Sequence, residues 1–288
     1  MLSYNPKDWF SIIFFIRKSD TVRTLMPAMS ALAALVAIFC YVEIEIANMA
    51  FTSTVTMHSL LGFVISMLLV FRTNTAYERW WEGRKQWGAL VNVSRNLAIR
   101  LAQIVPQNDV EQRQYFRVLI TNYAFALKEH LRSPAEITDL EAHPLLDLDA
   151  LRAKAHVPNA MAEKLYAALL QLRTDGRISE EQLLALDGMM HQFTDITGAC
   201  ERIRKTPIPY SYSAFIKKFI FLYVLSLPFG IITDFGYASV LVTVAVFYVL
   251  ASLELIAEEI EDPFGTDTND LPTDDIVRTI QANLKEIL

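Results

Sequence analysis

The sequence is poor in several things a soluble enzyme usually carries. Only 9 of its 288 residues are glycine, and they are scattered, so there is no glycine-rich cradle for a nucleotide phosphate. Its two cysteines, Cys40 and Cys200, lie far apart in unlike surroundings, which excludes a disulfide framework or a cysteine zinc site. No basic stripe interrupts a chain of net charge −6 and pI near 5.4, and a nucleic-acid binder would need one. Internal repeats and low-complexity tracts are lacking too. The most telling absence is of positive charge: no Lys or Arg occurs from Thr24 to Phe71 or from Phe219 to Val277.

What fills those gaps is apolar. Hydrophobic residues make up 53% of the chain and its mean hydropathy is +0.27, values that predict lipid-facing surface. A charge at mid-bilayer costs about 2.5 to 3.5 kcal/mol, so charge-free intervals mark the spans. Thr24 to Val42 and Ile46 to Phe71 are each long enough for the roughly 20 residues that cross the hydrocarbon. Phe219 to Thr233 and Phe235 to Leu253 are separated only by Asp234, and Asp234-Phe235-Gly236 reads as a tight turn between antiparallel helices. Four transmembrane helices follow.

Positive residues near a span tend to stay in the cytoplasm. Arg17, Lys18 and Arg23 precede the first span, Arg72, Arg79, Arg84 and Lys85 follow the second, and Lys217 and Lys218 precede the third. The short outer loops carry Glu43, Glu45 and Asp234 instead. A multi-pass membrane protein with both termini cytoplasmic is expected. The early run Trp9 to Ile16 is too short to span and lacks a cleavage site, which predicts an interfacial helix.

This gives an all-α membrane protein divided into residues 1–23, a cytoplasmic or interfacial N-terminal helix; 24–73, transmembrane helices 1 and 2, the second reaching over 55–73; 74–217, a helical cytoplasmic domain; 218–254, transmembrane helices 3 and 4; and 255–288, a cytoplasmic C-terminal segment. Three- and four-residue spacing supports helices in the cytoplasmic part: Leu90, Val93, Leu97, Leu101 and Ile104; Val118, Asn122 and Phe125; Leu183, Leu186, Met190 and Phe193. Ser133 to Pro158, with Pro134, Pro144 and Pro158, reads as loop or short turns. His58, His130, His143, His156 and His191 share no metal-ligand spacing, and each reads as a solvated or core histidine.

No nucleophile, base or ligand set converges in the spans. His58 is the one ionisable group from Ile46 to Phe71, placed where it either acts within the membrane or faces water in an outer vestibule. Ser59, Phe63, Met67 and Phe71 recur every four residues on one helix face. Such a stripe is lipid-facing, packs on another helix, or, if several copies surround an axis, forms a greasy constriction that closes by expelling water. Gly62 and Ser66 lie on a neighbouring face where small side chains permit close helix approach.

Three segments together resemble the bestrophin family in its bacterial branch: Ser59 to Trp81 (SLLGFVISMLLVFRTNTAYERWW), Gly198 to Tyr212 (GACERIRKTPIPYSY) and Glu258 to Pro272 (EEIEDPFGTDTNDLP). The resemblance runs from about Pro6 to Leu288. It implies a homopentameric channel, entirely helical, with one pore on the five-fold axis, conducting monovalent ions past membrane lipid, with no nucleic acid and no enzymatic activity. The family's neck falls on Phe63, Met67 and Phe71, its outer pore on Ser59, and its cytoplasmic aperture near Glu181 or Glu180. An acidic aperture departs from the apolar residue expected there and would concentrate cations, so sodium or potassium conduction is the first expectation and chloride conduction the alternative. A solvated Glu pair after an N-cap at Ser179 would look the same in sequence. The family's calcium clasp falls on Asp267 and Asp270, but Thr and Asn replace neighbouring acids, so calcium is at most a remnant ligand and no cofactor is expected. A secondary transporter, needing broken helices and paired repeats, and a membrane-bound enzyme holding a metal at Glu258, Glu259, Glu261 and Asp262 are the rival readings.

Overall fold

In a computed structural model, residues 20–47, 55–132 and 138–288 are described; the expected interfacial helix at Trp9 to Ile16 lies outside them. All regular structure among the described residues is helical. The helices are α1 (Asp20–Tyr41), with a π-helical turn Val42–Ala47 after it, α2 (Val55–Ile104), α3 (Val110–Leu131), α4 (Leu148–Arg152), α5 (Val157–Thr174), α6 (Glu180–Lys205), α7 (Tyr210–Ser226), α8 (Pro228–Phe235), a 3₁₀ turn Gly236–Ala238, α9 (Ser239–Glu261) and α10 (Thr273–Ile287).

The chain divides into two compact units. One, Leu2–Glu78 with Ile208–Glu261, holds the apolar helices. Three stretches are long and apolar enough to cross a membrane: Thr21–Ile46, Thr56–Ile104 and Tyr210–Glu261. The last contains α7 to α9, and Gly236 reverses the chain there at φ 54°, a backbone state that glycine enters without a Cβ penalty. The turn splits that last stretch into two apolar arms, α7 with α8, and α9. The first arm is not one continuous helix: Pro228 has no N–H to give, and α7 ends at Ser226 before α8 begins. Inside this unit Ile65 and Leu69 of α2 pack with Ile216, Ile220 and Val224 of α7 and Leu250 of α9. Val36 and Cys40 of α1 pack with Ile232 of α8.

The other unit, Arg79–Pro207 with Asp262–Leu288, has a large aliphatic core. Leu90, Val93, Leu97 and Leu101 of α2, Val118 and Leu119 of α3, and Leu186, Met190 and Phe193 of α6 are all buried in it, so the helical stripes read from spacing face inward. Two of its buried polar side chains form hydrogen bonds between elements. Tyr123 donates its hydroxyl hydrogen bond within the α3–α6 contact, lying 2.7 Å from the Phe193 carbonyl and 2.6 Å from Thr197 Oγ1. Asn122 Nδ2 reaches the Glu141 carbonyl at 2.9 Å while its Oδ1 accepts from the Glu141 amide at 2.7 Å. That pair ties α3 to the proline-rich segment, whose only regular pieces among the described residues are α4 and the start of α5.

Helix α2 does not end where the charges begin. It is one 50-residue helix, so residue 73 marks a change of side-chain chemistry and not a break in backbone. The reason is local: no proline occurs from Val55 to Ile104, and the i to i−4 ladder is indifferent to whether its side chains meet lipid or water.

Candidate functional site

The N-terminal half of α2 has two opposed faces. Ile65 and Leu69 are 1% and 2% exposed, and Arg72 and Ala76 continue the same buried seam. At about 100° per residue the stripe lies on the far side, where Phe63, Met67 and Phe71 are 67%, 51% and 53% exposed. The structure therefore brings the three expected neck residues onto one face that is left exposed among the described residues. Leu60, Val64 and Val70 widen the exposed apolar face on either side, and Ser59 is exposed a turn above Phe63. Gly62 turns toward α7, where a Cβ would meet the Tyr223 hydroxyl at 2.9 Å; it serves close approach, as its size suggested. Ser66 returns its hydroxyl to the Gly62 carbonyl at 2.7 Å. His58 reaches the Ser226 carbonyl with Nε2 at 3.0 Å, at the joint between α7 and α8.

Immediately after Phe71 the sequence places a charge that turns the other way. Arg72 is 1% exposed, with Nε 3.4 Å from Glu254 Oε2 and Nη1 2.6 Å from Glu261 Oε2. Glu261 also accepts from the Ile208 amide at 2.6 Å, which fixes the start of the chain leading into α7. Beside this cluster, Lys217 of α7 pairs with Glu258 of α9 at 2.9 Å. A buried cation unaccompanied by anions is strongly disfavoured, and here two carboxylates from α9 meet it. Sequence reasoning counted Arg72 only as a cytoplasmic charge and ended the fourth span at Leu253. The signal was present in the continuation Glu254 to Glu261, which holds four acids in helical register facing the basic end of the second span.

The acidic pair expected at an aperture lies in the other unit, at the start of α6. Ser179 is its N-cap, in a capping box with Gln182, and Glu180 and Glu181 are exposed in the first turn. Glu181 Oε2 accepts from the Ser179 hydroxyl at 2.6 Å, a bond that holds its carboxyl below the ordinary glutamate range. Both acidic side chains suit a helix N-terminus.

Asp267 and Asp270 fall in the turn after α9. Asp270 is buried, and its Oδ2 accepts from the Asp267 amide at 2.7 Å, closing the turn on itself. Gly265 is required there, because a Cβ would lie 2.6 Å from that same Oδ2. Phe264 packs against Gly83, and Trp80 Nε1 donates to the Asn269 carbonyl at 3.0 Å. The neighbouring cavity, about 290 Å³, is lined by Arg132 and Arg278 as well as acids, and Asp274 in its wall is engaged by Lys128 and Arg132. A calcium ion takes six to eight oxygens, and a turn whose buried carboxylate serves a backbone amide beside two guanidinium groups does not fit one.

Comparison with known proteins bears on these features. The sequence profile described as Bacterial/Fungal Bestrophin protein matches residues 1–286. A voltage-dependent anion channel-forming protein of Synechocystis is 38% identical over 79% of this chain and 75% of its own length. One of Nostoc bearing the same name is 33% identical over 98% of this chain and 92% of its own. Among solved structures, that of a bacterial bestrophin homologue from Klebsiella pneumoniae superimposes with a TM-score of 0.81 at 29% identity, covering 91% of this chain and 98% of that one.

Proposed function

The chain belongs to the bestrophin family of ion channels, and from that premise we propose that it forms a homopentameric pore for small monovalent ions in the bacterial inner membrane, both termini in the cytoplasm. The observation that carries the reading is the exposed stripe Phe63, Met67 and Phe71, set opposite a seam that the chain's own helices bury. Five copies of α2 turned inward would make three stacked apolar rings below Ser59. Such rings offer an ion no coordination, so permeation requires a wetted or widened neck.

Relatives of this chain bear names that specify anions, and we take anion permeation as the first reading. Apolar rings carry no charge and select no sign by themselves. A cation preference is the second reading, favoured by the exposed acidic pair Glu180 and Glu181 and by the −6 charge of each chain, since converging carboxylates raise local cation concentration. Reconstituted channels in asymmetric NaCl separate the two: the reversal potential moves toward the chloride equilibrium potential in the first case and the sodium potential in the second. Alanine at Phe63, Met67 or Phe71 is expected to raise unitary conductance. Unchanged currents in all three variants would place the pore elsewhere and refute the neck.

A further inference from the structure

The cytoplasmic-type unit brings together three ligating side chains for which channel function has no use. His130 is in the last turn of α3, His156 is the N-cap of α5, and Glu201 is in the C-terminal half of α6. Glu201 Oε1 lies 2.6 Å from His130 Nε2 and 2.8 Å from His156 Nε2. The two imidazole centroids are 4.4 Å apart. One ligand atom from each residue falls within 4.8 Å of the other two, and all three residues are partly buried.

We propose that His130, His156 and Glu201 form a site for a divalent transition-metal ion of zinc-like preference, which clamps α3, α5 and α6 together. Two imidazoles and one carboxylate form the donor set of zinc, cobalt or nickel, whereas calcium and magnesium take oxygen. Three protein donors leave the fourth tetrahedral position to water. Metal bonds of about 2.0 to 2.1 Å put neighbouring donors roughly 3.3 Å apart, so Glu201 has to withdraw by about 0.7 Å from the His130 ring and about 0.5 Å from the His156 ring.

His156 has a choice to make. Its Nδ1 accepts from the Asn159 amide at 3.1 Å, which assigns the ring proton to Nε2 when no metal is held. Ligation through Nε2 transfers that proton to Nδ1, releases none, and gives up the cap. Two further cations stand nearby. Lys205 Nζ is 3.6 Å from Glu201 Oε2, and Arg204 donates to the carbonyls of His130 and Arg132. Neither contacts the converging Oε1 and Nε2 atoms, and their charge makes the ion reversible and not permanent. The site stands or falls independently of which ion the pore passes.

The test uses full-length protein in detergent, stripped with chelator and titrated with ZnCl₂ by calorimetry and with CoCl₂ by visible absorption. A single ion per chain is expected, with the intense cobalt bands of a four-coordinate site and a thermal midpoint that rises with free zinc. Glu201→Gln and His156→Asn, the latter keeping a good N-cap, are each expected to weaken binding at least as much as the roughly 10- to 100-fold lost with an outer-shell partner. His191→Gln, at an exposed histidine on the same helix as Glu201, is expected to change nothing. Wild-type protein that neither takes up zinc nor shifts its midpoint overturns the proposal, and so does zinc uptake undiminished in both Glu201→Gln and His156→Asn.

Discussion

Replacing Arg72 with Met tests the buried charge cluster most directly. Arg72 and Glu254 have side chains 2% and 5% exposed, so neither is screened appreciably by solvent. Removing the cation takes the guanidinium away from the buried Glu254 carboxylate and from Glu261. Breaking a buried pair by deleting one member typically costs about 3 to 5 kcal/mol, most of it from the charge left behind. Arg72→Met is therefore expected to lower the thermal midpoint of the purified protein sharply. The second variant carries the logic: Arg72→Met with Glu254→Gln removes the orphaned charge and should recover a substantial part of the loss, although Glu254→Gln alone is destabilising. Intrinsic-fluorescence melting in a single detergent, with size-exclusion profiles as the control for assembly, reads all three. A double variant no more stable than Arg72→Met would show that the pair is not energetically coupled, and an Arg72→Met protein that melts like wild type would refute the reasoning outright.

Two stability predictions accompany the conductance and reversal-potential outcomes already stated. At Gly62 the Cβ of alanine would press on a hydroxyl, the yielding end of Tyr223, while alanine gains about 1 kcal/mol of helix propensity, so Gly62→Ala should melt close to wild type; Gly62→Leu overpacks the same contact and should lose about 1 to 3 kcal/mol. At Asp274, burial raises the pKa but hydrogen bonds from Arg132 and Lys128 outweigh it and hold the carboxyl at about 2, below its ordinary 3.8. A depressed acid contributes stability above its unfolded pKa and loses it as pH falls through the folded one, so Asp274→Asn should be less stable than wild type at neutral pH, with the gap closing between about pH 4 and about pH 2. A gap that did not change with pH would show that Asp274 acts by shape alone.

The all-helical architecture was legible because its signals are one-dimensional. Charge-free intervals locate α1, the first half of α2, and α7 to α9, and the Leu90 to Leu101 spacing marks an inward face, without knowledge of which elements touch. The face of Phe63, Met67 and Phe71 was legible for the same reason. What the sequence concealed depends on pairing across distance. Arg72 looks like any flanking basic residue until α9 brings Glu254 and Glu261 to it. His130, His156 and Glu201 have no shared spacing, and only the packing of α3, α5 and α6 converges them. The acid-rich turn was misleading in the opposite sense: Asp270 resembles a metal ligand in sequence, yet in the fold it is spent on an amide three residues away.

The neighbours Phe71 and Arg72 point to opposite sides of one helix, and this constrains how the bundle can move. Spinning α2 about its long axis by enough to swing the phenyl ring aside, a fraction of the roughly 100° between adjacent side chains, would pull the buried guanidinium from both of its carboxylates. The helix is thus keyed like a shaft. Motions that keep the key seated, such as tilting as a block with α7 and α9 or flipping the ring on its own torsions, leave those ion pairs intact, and they are the ones this arrangement permits at low cost.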